Sequence, residues 1–263
     1  MADVVERCKD KNMILNAVGS QIDTSRRAVE VAEKYDFIYA TVGLHPVHLF
    51  STHVDEGEVI FKTREEKFDY NAYKELALDP KTIAIGECGL ELYHLPENVD
   101  RAGVLALQEE AFLEQYRLAL ECNIPLVIHV RDAHPEMIAL LKKLSNPIKG
   151  VVHCYTGTWE HAQEYLALGL NIGFTGVITF PPKKTNPQPQ IDLLEVVEKC
   201  PLEKILVETD SPYLAPQAYR GERCEPWMTE EVVKKIAEIK GMSEREIEDI
   251  TEKNARKLFT KII

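Results

Sequence analysis

Pro125-Leu126-Val127-Ile128-His129-Val130-Arg131-Asp132 begins at a proline that bars helix and runs through apolar and branched residues to a histidine. A short run of this kind reads as a strand buried on both faces, as in a parallel sheet. The pattern recurs at Ile83–Glu87, Val151–His153 and Ile205–Asp210, the last reaching past Glu208. Each run delivers a metal-capable side chain to its carboxyl end. In α/β enzymes the crevice beyond those ends is where chemistry is done.

Working outward, strand and helix patterns alternate along almost the whole chain, which predicts a parallel sheet with crossover helices. Strands are expected at Ile14–Val18, Ile38–Val42, Thr82–Gly86, Leu126–Ile128, Gly150–Val152, Asn171–Phe174 and Lys204–Val207. Helical patterns cover Ser25–Tyr35, Asn71–Asp79, Leu105–Cys122, Pro135–Ser145, Glu160–Leu168, Asp192–Lys199, Glu230–Ile239 and Glu244–Phe259. Leu105, Phe112, Leu113, Tyr116 and Leu120 recur at helical spacing and are expected in the core. Ser243 and Glu246 form a capping-box pattern after Gly241, which ends the preceding helix. Leu49–Phe68 and Pro181–Gln190 stand outside the alternation and are expected as loops over the catalytic face.

At 263 residues with 45% hydrophobic content the chain can bury a sizeable core. It shows no linker or internal repeat and reads as one domain over residues 1–263. The formal net charge of −12 opposes broad attraction to nucleic-acid phosphates or anionic membranes, so any phosphate chemistry needs local cations or bound metal. The cysteines are scattered, with no Cys-x-x-Cys pair, and read as reduced thiols. The N-terminus shows no signal peptide and no apolar run reaches the ~20 residues of a membrane span, so the expected location is cytoplasmic.

Four residues could form a metal centre. Glu87, flanked by Gly86 and Gly89, is a carboxylate where the backbone can approach a bound group. His129 and His153 offer imidazoles suited to zinc, manganese or iron. Asp210, in a segment frozen by Pro212 and Pro216, can ligate a metal or take a proton from water. Glu208 suits a partner that orients a strand-end histidine, and Arg131 suits a phosphate or carboxylate.

Five strings in order, Val42–Pro46, Ile85–Leu90, Ile128–Asp132, Val152–Gly157 and Val207–Pro216, continued by Tyr219–Arg223, resemble the TatD family of metal-dependent deoxyribonucleases. The resemblance implies a TIM-type (β/α)8 barrel related to the amidohydrolases and hydrolysis of phosphodiesters at DNA ends or in single strands. Magnesium or manganese is implied as the activating ion, with zinc or iron as other occupants. Glu87 is implied to bridge two metals, His129 and His153 to complete one site, and Asp210 to belong to the other. The catalytic role is implied for Glu87 and Asp210.

The same resemblance implies that His45 lies near the metal centre and touches a substrate phosphate, and Arg131, Arg220 and Arg223 are the local cations expected to bind substrate against the acidic balance. Glu91, where the family has aspartate, and Glu208 are implied as residues behind the ligands. No His-x-His occurs in the sequence, whereas the family opens with an Asp-x-His-x-His strand. The expectation is therefore a barrel missing its first strand, with reduced activity. Hydrolysis of a small ester, amide or aminoacyl bond on the same barrel is one alternative; an impaired remnant or truncated gene product is another.

Overall fold

The computed structural model describes residues 2–55, 60–95 and 100–262. The chain divides into two compact units, one of residues 14–150 and 259–263, the other of residues 1–13 and 151–258. Helix α1 (Ala2–Asp10) opens the chain, and its Arg7 pairs with Glu225 within the same unit.

The unit of residues 14–150 contains β1 (Leu15–Val18), α2 (Ile22–Ala32) and β2 (Ile38–Val42). The segment expected as a loop at Leu49–Phe68 instead contains an antiparallel pair, β3 (His53–Asp55) with β4 (Ile60–Lys62); its residues 56–59 lie outside the described residues. Then follow α3 (Tyr70–Ala77), β5 (Thr82–Glu91), α4 (Arg101–Cys122), β6 (Leu126–Arg131) and α5 (His134–Leu141). β1 pairs in parallel with β2, β2 with β5, and β5 with β6. Every residue of β2 is buried, as are Ile83, Ile85, Leu126 and Ile128, which is why these strands read as unbroken apolar runs.

β5 runs five residues further than the sequence predicts. Its apolar run stops at Gly86, but the ladder with β6 continues to Glu91↔Arg131. Gly86 pairs with Val127 and Cys88 with Ile128, which makes Glu87 the extra residue of a bulge. Bulges bend a strand and re-aim a side chain. Glu87 is thus a mid-strand bulge residue and not a strand end.

Helix α4 begins four residues earlier than its apolar pattern, at the Asp100 cap, whose carboxylate accepts the Gly103 N–H at 3.3 Å. It ends on Asn123 with φ 51, two residues before Pro125. The expected stripe is partly wrong: Leu113 and Leu120 are 39% and 41% exposed. The buried face carries Val104, Gln108, Ala111, Phe112, Gln115 and Tyr116. Two glutamines occupy inward positions that a reading by apolarity skips.

Gly103, in the first turn of α4, is exposed, and a Cβ there meets nothing within 4 Å. Gly103→Ala is expected to raise stability by roughly 0.5–1 kcal/mol through lost unfolded-state entropy. Urea unfolding measures it; a destabilised variant would contradict the open position.

In the other unit, α1 joins β7 (Gly150–Val152, from Val151 on), α6 (Trp159–Ala167), β8 (Asn171–Phe174), α7 (Gln188–Lys199), β9 (Ile205–Val207), α8 (Thr229–Lys240) and α9 (Glu244–Leu258). β8 pairs in parallel with β7 and with β9. Helix α7 takes in the last residues of the expected loop Pro181–Gln190, because Pro189 fits a helix's first turn, where its missing N–H costs nothing. Gly241 caps α8 at φ 65. Ser243 and Glu246 exchange the reciprocal bonds of a capping box, Glu246 Oε2 accepting the Ser243 N–H at 2.9 Å and Ser243 Oγ the Glu246 N–H at 3.3 Å. Among the described residues, no helix is long and apolar enough to cross a membrane.

Candidate metal centre

In the unit of residues 14–150, the bulge turns Glu87 toward two histidines. His45 Nε2 lies 3.8 Å and His129 Nδ1 3.9 Å from Glu87 Oε2, and the two rings are 4.2 Å apart between centroids. One donor atom from each of His45, Glu87 and His129 falls within 4.8 Å of the others, close enough to share one cation.

Hydrogen bonding distinguishes the two imidazoles. His129 Nε2 lies 3.2 Å from Glu91 Oε2; an ionised carboxylate only accepts, so Nε2 carries the proton and Nδ1 turns a lone pair toward Glu87. His45 is the reverse case. Its Nδ1 accepts the Val47 N–H at 3.1 Å, so the neutral ring carries its proton on Nε2, facing Glu87. Glu87 and His129 therefore present ligand lone pairs and His45 presents an N–H beside them. A divalent cation fits Glu87 and His129 as they stand; ligation by His45 requires loss of its Nε2 proton or of the Val47 bond.

Glu91 is buried, 2% exposed. Burial pushes its carboxyl upward, but bonds from the His129 and His94 rings and from the His94 backbone outweigh this and hold it well below the usual carboxylate range. Its Oε1 accepts the N–H groups of Tyr93 at 2.6 Å and His94 at 3.1 Å, and His94 Nδ1 lies 3.5 Å from Oε2. His94 is absent from the residues singled out in the sequence. A Glu-x-x-His spacing at the end of β5 is the signal that could have found it.

The inward glutamines of α4 clamp this region. Gln115 Oε1 accepts the Leu44 N–H at 2.8 Å while its Nε2 donates to Leu44 O at 3.0 Å, beside His45. Gln108 does the same to Glu91, at 3.0 and 2.8 Å. Each satisfies both backbone groups of one residue where water is excluded. Arg131, two residues beyond His129 on β6, stacks its guanidinium 4.1 Å from the Tyr93 ring centroid.

The other unit holds a second carboxylate–imidazole–carboxylate line. His153, just past β7, has Nδ1 at 2.9 Å from Glu208 Oε1 and Nε2 at 3.7 Å from Asp210 Oδ1. Glu208 also accepts the Cys154 N–H at 2.6 Å. Its carboxylate lies so close to β8 that a Cβ on Gly173 would stand 2.3 Å from Oε1. Glu208 thus accepts the hydrogen bond from Nδ1–H and leaves the Nε2 lone pair beside Asp210, as in carboxylate-oriented metal histidines. Arg220 is exposed and stacks on Phe180 at 4.5 Å, and Arg223 is exposed. Burial pushes the Cys154 thiol up to about 12 and the Cys88 thiol upward as well. Neither is a thiolate nucleophile near neutrality.

A sequence profile of the family described as TatD related DNase matches residues 1–260. The chain is 38% identical to the uncharacterized metal-dependent hydrolase YabD of Bacillus subtilis, over 98% of this chain and 92% of that protein. It is 34% identical to the 3'-5' ssDNA/RNA exonuclease TatD of a Rahnella species, over 97% and 90%. Among solved structures, the TatD homologue YJJV of Escherichia coli matches with a TM-score of 0.75 at 25% identity, covering 93% of this chain and 85% of that one. A TatD family hydrolase from Entamoeba histolytica matches in fold with a TM-score of 0.77 at 22% identity, covering 98% and 88%. The fold class is accordingly α/β of the TIM-barrel type. Match along nearly the whole length, together with carboxylates and imidazoles arranged to hold cations, gives the conclusion that the chain belongs to the TatD family of metal-dependent hydrolases.

Proposed function

We propose that this hydrolase cleaves phosphodiester bonds in single-stranded nucleic acid. The observation that carries the reading is the line Glu91–His129–Glu87 with the His45 N–H beside it. It offers ligands for a cation next to a donor suited to a phosphate oxygen. The exonuclease name of the Rahnella relative supports the choice of substrate.

A divalent cation, when bound, supplies Lewis acidity toward a phosphoryl oxygen and makes a water more acidic. Glu87 and His129 would hold it, and Glu91 keeps the His129 ring turned with Nδ1 forward. His45 donates its Nε2–H to a non-bridging phosphate oxygen. In the other unit Glu208 accepts the His153 Nδ1–H and so keeps the ring in the tautomer whose Nε2 is unprotonated, and Asp210 supplies a carboxylate able to take a proton from water. The ligand roles of Glu87, His129, His153 and Asp210, action as one domain over residues 1–263, and Arg220 and Arg223 as phosphate contacts belong to the same proposal.

The test is release of mononucleotides from a single-stranded oligonucleotide by chelator-treated protein, before and after manganese is added. Release only with manganese is the expected result. No release from any oligonucleotide, with hydrolysis of a small ester or amide in the same buffer, would replace this reading with the small-molecule one.

Glu91→Gln is expected to lower manganese affinity about 10- to 100-fold, the usual cost of losing the carboxylate behind a ligating histidine. Isothermal titration measures it. Unchanged affinity would mean that Glu91 serves the fold alone.

A further inference from the structure

We propose that Tyr93 is a stacking platform for a nucleobase of the substrate strand, next to the bond that is cut. The proposal rests on the phosphodiesterase reading above and adds to it the part of the nucleotide that is recognised. Tyr93 follows β5 and is 58% exposed. Exposed tyrosines are common, but this one is held in place. Its N–H donates to Glu91 Oε1 at 2.6 Å, and the other oxygen of that carboxylate bonds His129 at 3.2 Å. The platform is therefore joined to a candidate metal ligand through one carboxylate.

The ring itself is ordered by its neighbours. The Arg131 guanidinium lies 4.1 Å from its centroid, and the His94 ring stands at 89° to it with 4.8 Å between centroids. Arg131 comes from the strand that carries His129, so a cation, an aromatic ring and a ligand are presented together by adjacent parallel strands. An aromatic ring beside an arginine is the combination that binds single strands without reading sequence: the ring takes the base, the cation the backbone. A rigid aromatic also loses little conformational entropy when a base settles on it. The stack makes no demand on base identity.

The experiment uses the full chain with manganese and a set of single-stranded pentanucleotides, each lacking the base at one position. Loss of one stacked base is expected to raise KM about tenfold, within the range for base–aromatic stacking, with kcat little changed. Tyr93→Leu should raise KM on the complete pentanucleotide by the same factor. On the oligonucleotide lacking the platform base, Tyr93→Leu and the wild type should then be alike. Tyr93→Phe should match the wild type throughout, since the ring and not the hydroxyl is invoked. Losses that multiply at every position, or an unchanged KM in Tyr93→Leu, would overturn the platform.

Binding is read separately from cleavage, by fluorescence of pentanucleotides carrying 2-aminopurine. Quenching by the wild type that is lost in Tyr93→Leu supports the platform even if no oligonucleotide is cut, in which case only the phosphodiesterase reading falls. Equal quenching, or none with either protein, overturns the platform. Circular dichroism confirms that the leucine variant is folded.

Discussion

Glu87→Gln is expected to slow hydrolysis of single-stranded DNA roughly 10³-fold, because a polarising cation contributes several kcal/mol and each 1.36 kcal/mol is a factor of ten. The amide keeps the size of the side chain but removes the charge that faces His45 and His129. It therefore separates electrostatics from packing. Glu87 sits in a bulge whose flanking residues carry the ladder bonds, so the strand does not depend on its carboxylate. The thermal midpoint should move by no more than about 2 °C, less than 1 kcal/mol for a chain of this size. The check is single-turnover nucleotide release at saturating manganese, with metal content measured on the same samples. Activity within tenfold of the wild type would remove Glu87 from the proposed centre and require another carboxylate to do its work.

Gly89→Ala is the substitution expected to cost the most stability, on the order of 4 kcal/mol, by combining a strained backbone with overpacking. Gly89 has φ 153, which side-chain-bearing residues rarely adopt. An added Cβ would stand 1.9 Å from His129 O, with His129 C and N at 2.9 and 3.0 Å. The obstruction is backbone on β6 and has no rotamer to change. Relief requires β5 and β6 to part at the residue that presents the imidazole. Activity should fall at least ~10²-fold even where the variant remains folded, since small displacements of reacting groups have that effect. Urea unfolding beside Gly103→Ala, for which the opposite sign is expected, is the measurement. A loss below about 1 kcal/mol would mean that the two strands are not held as closely as the geometry requires.

Much of the fold was legible because its causes are local. Ile38–Val42, Gly150–Val152 and Asn171–Phe174 are strands with the bounds their residues predict. Asn123 and Pro125 end α4, and Ser243 with Glu246 starts α9. The alternation of strand and helix, and the five strings that mark the TatD family, also lie in consecutive residues. The presence of metal-capable side chains on the strands or just beyond them was readable in the same way.

What no local pattern contains is how distant residues meet. The bulge at Glu87 exists only in the pairing of β5 with β6, and it decides where the carboxylate points. Gln115 looks like an ordinary polar helix residue until it is paired with Leu44, 71 positions away. The tautomers of His45, His129 and His153 follow from Val47, Glu91 and Glu208. By itself the sequence determined the alternation of the parallel strands with helices, the family and the residue types able to bind a metal, because these rest on local propensity and contiguous motifs. Only the tertiary structure decided which imidazole nitrogen carries a proton, since that depends on a hydrogen-bond partner brought close by folding.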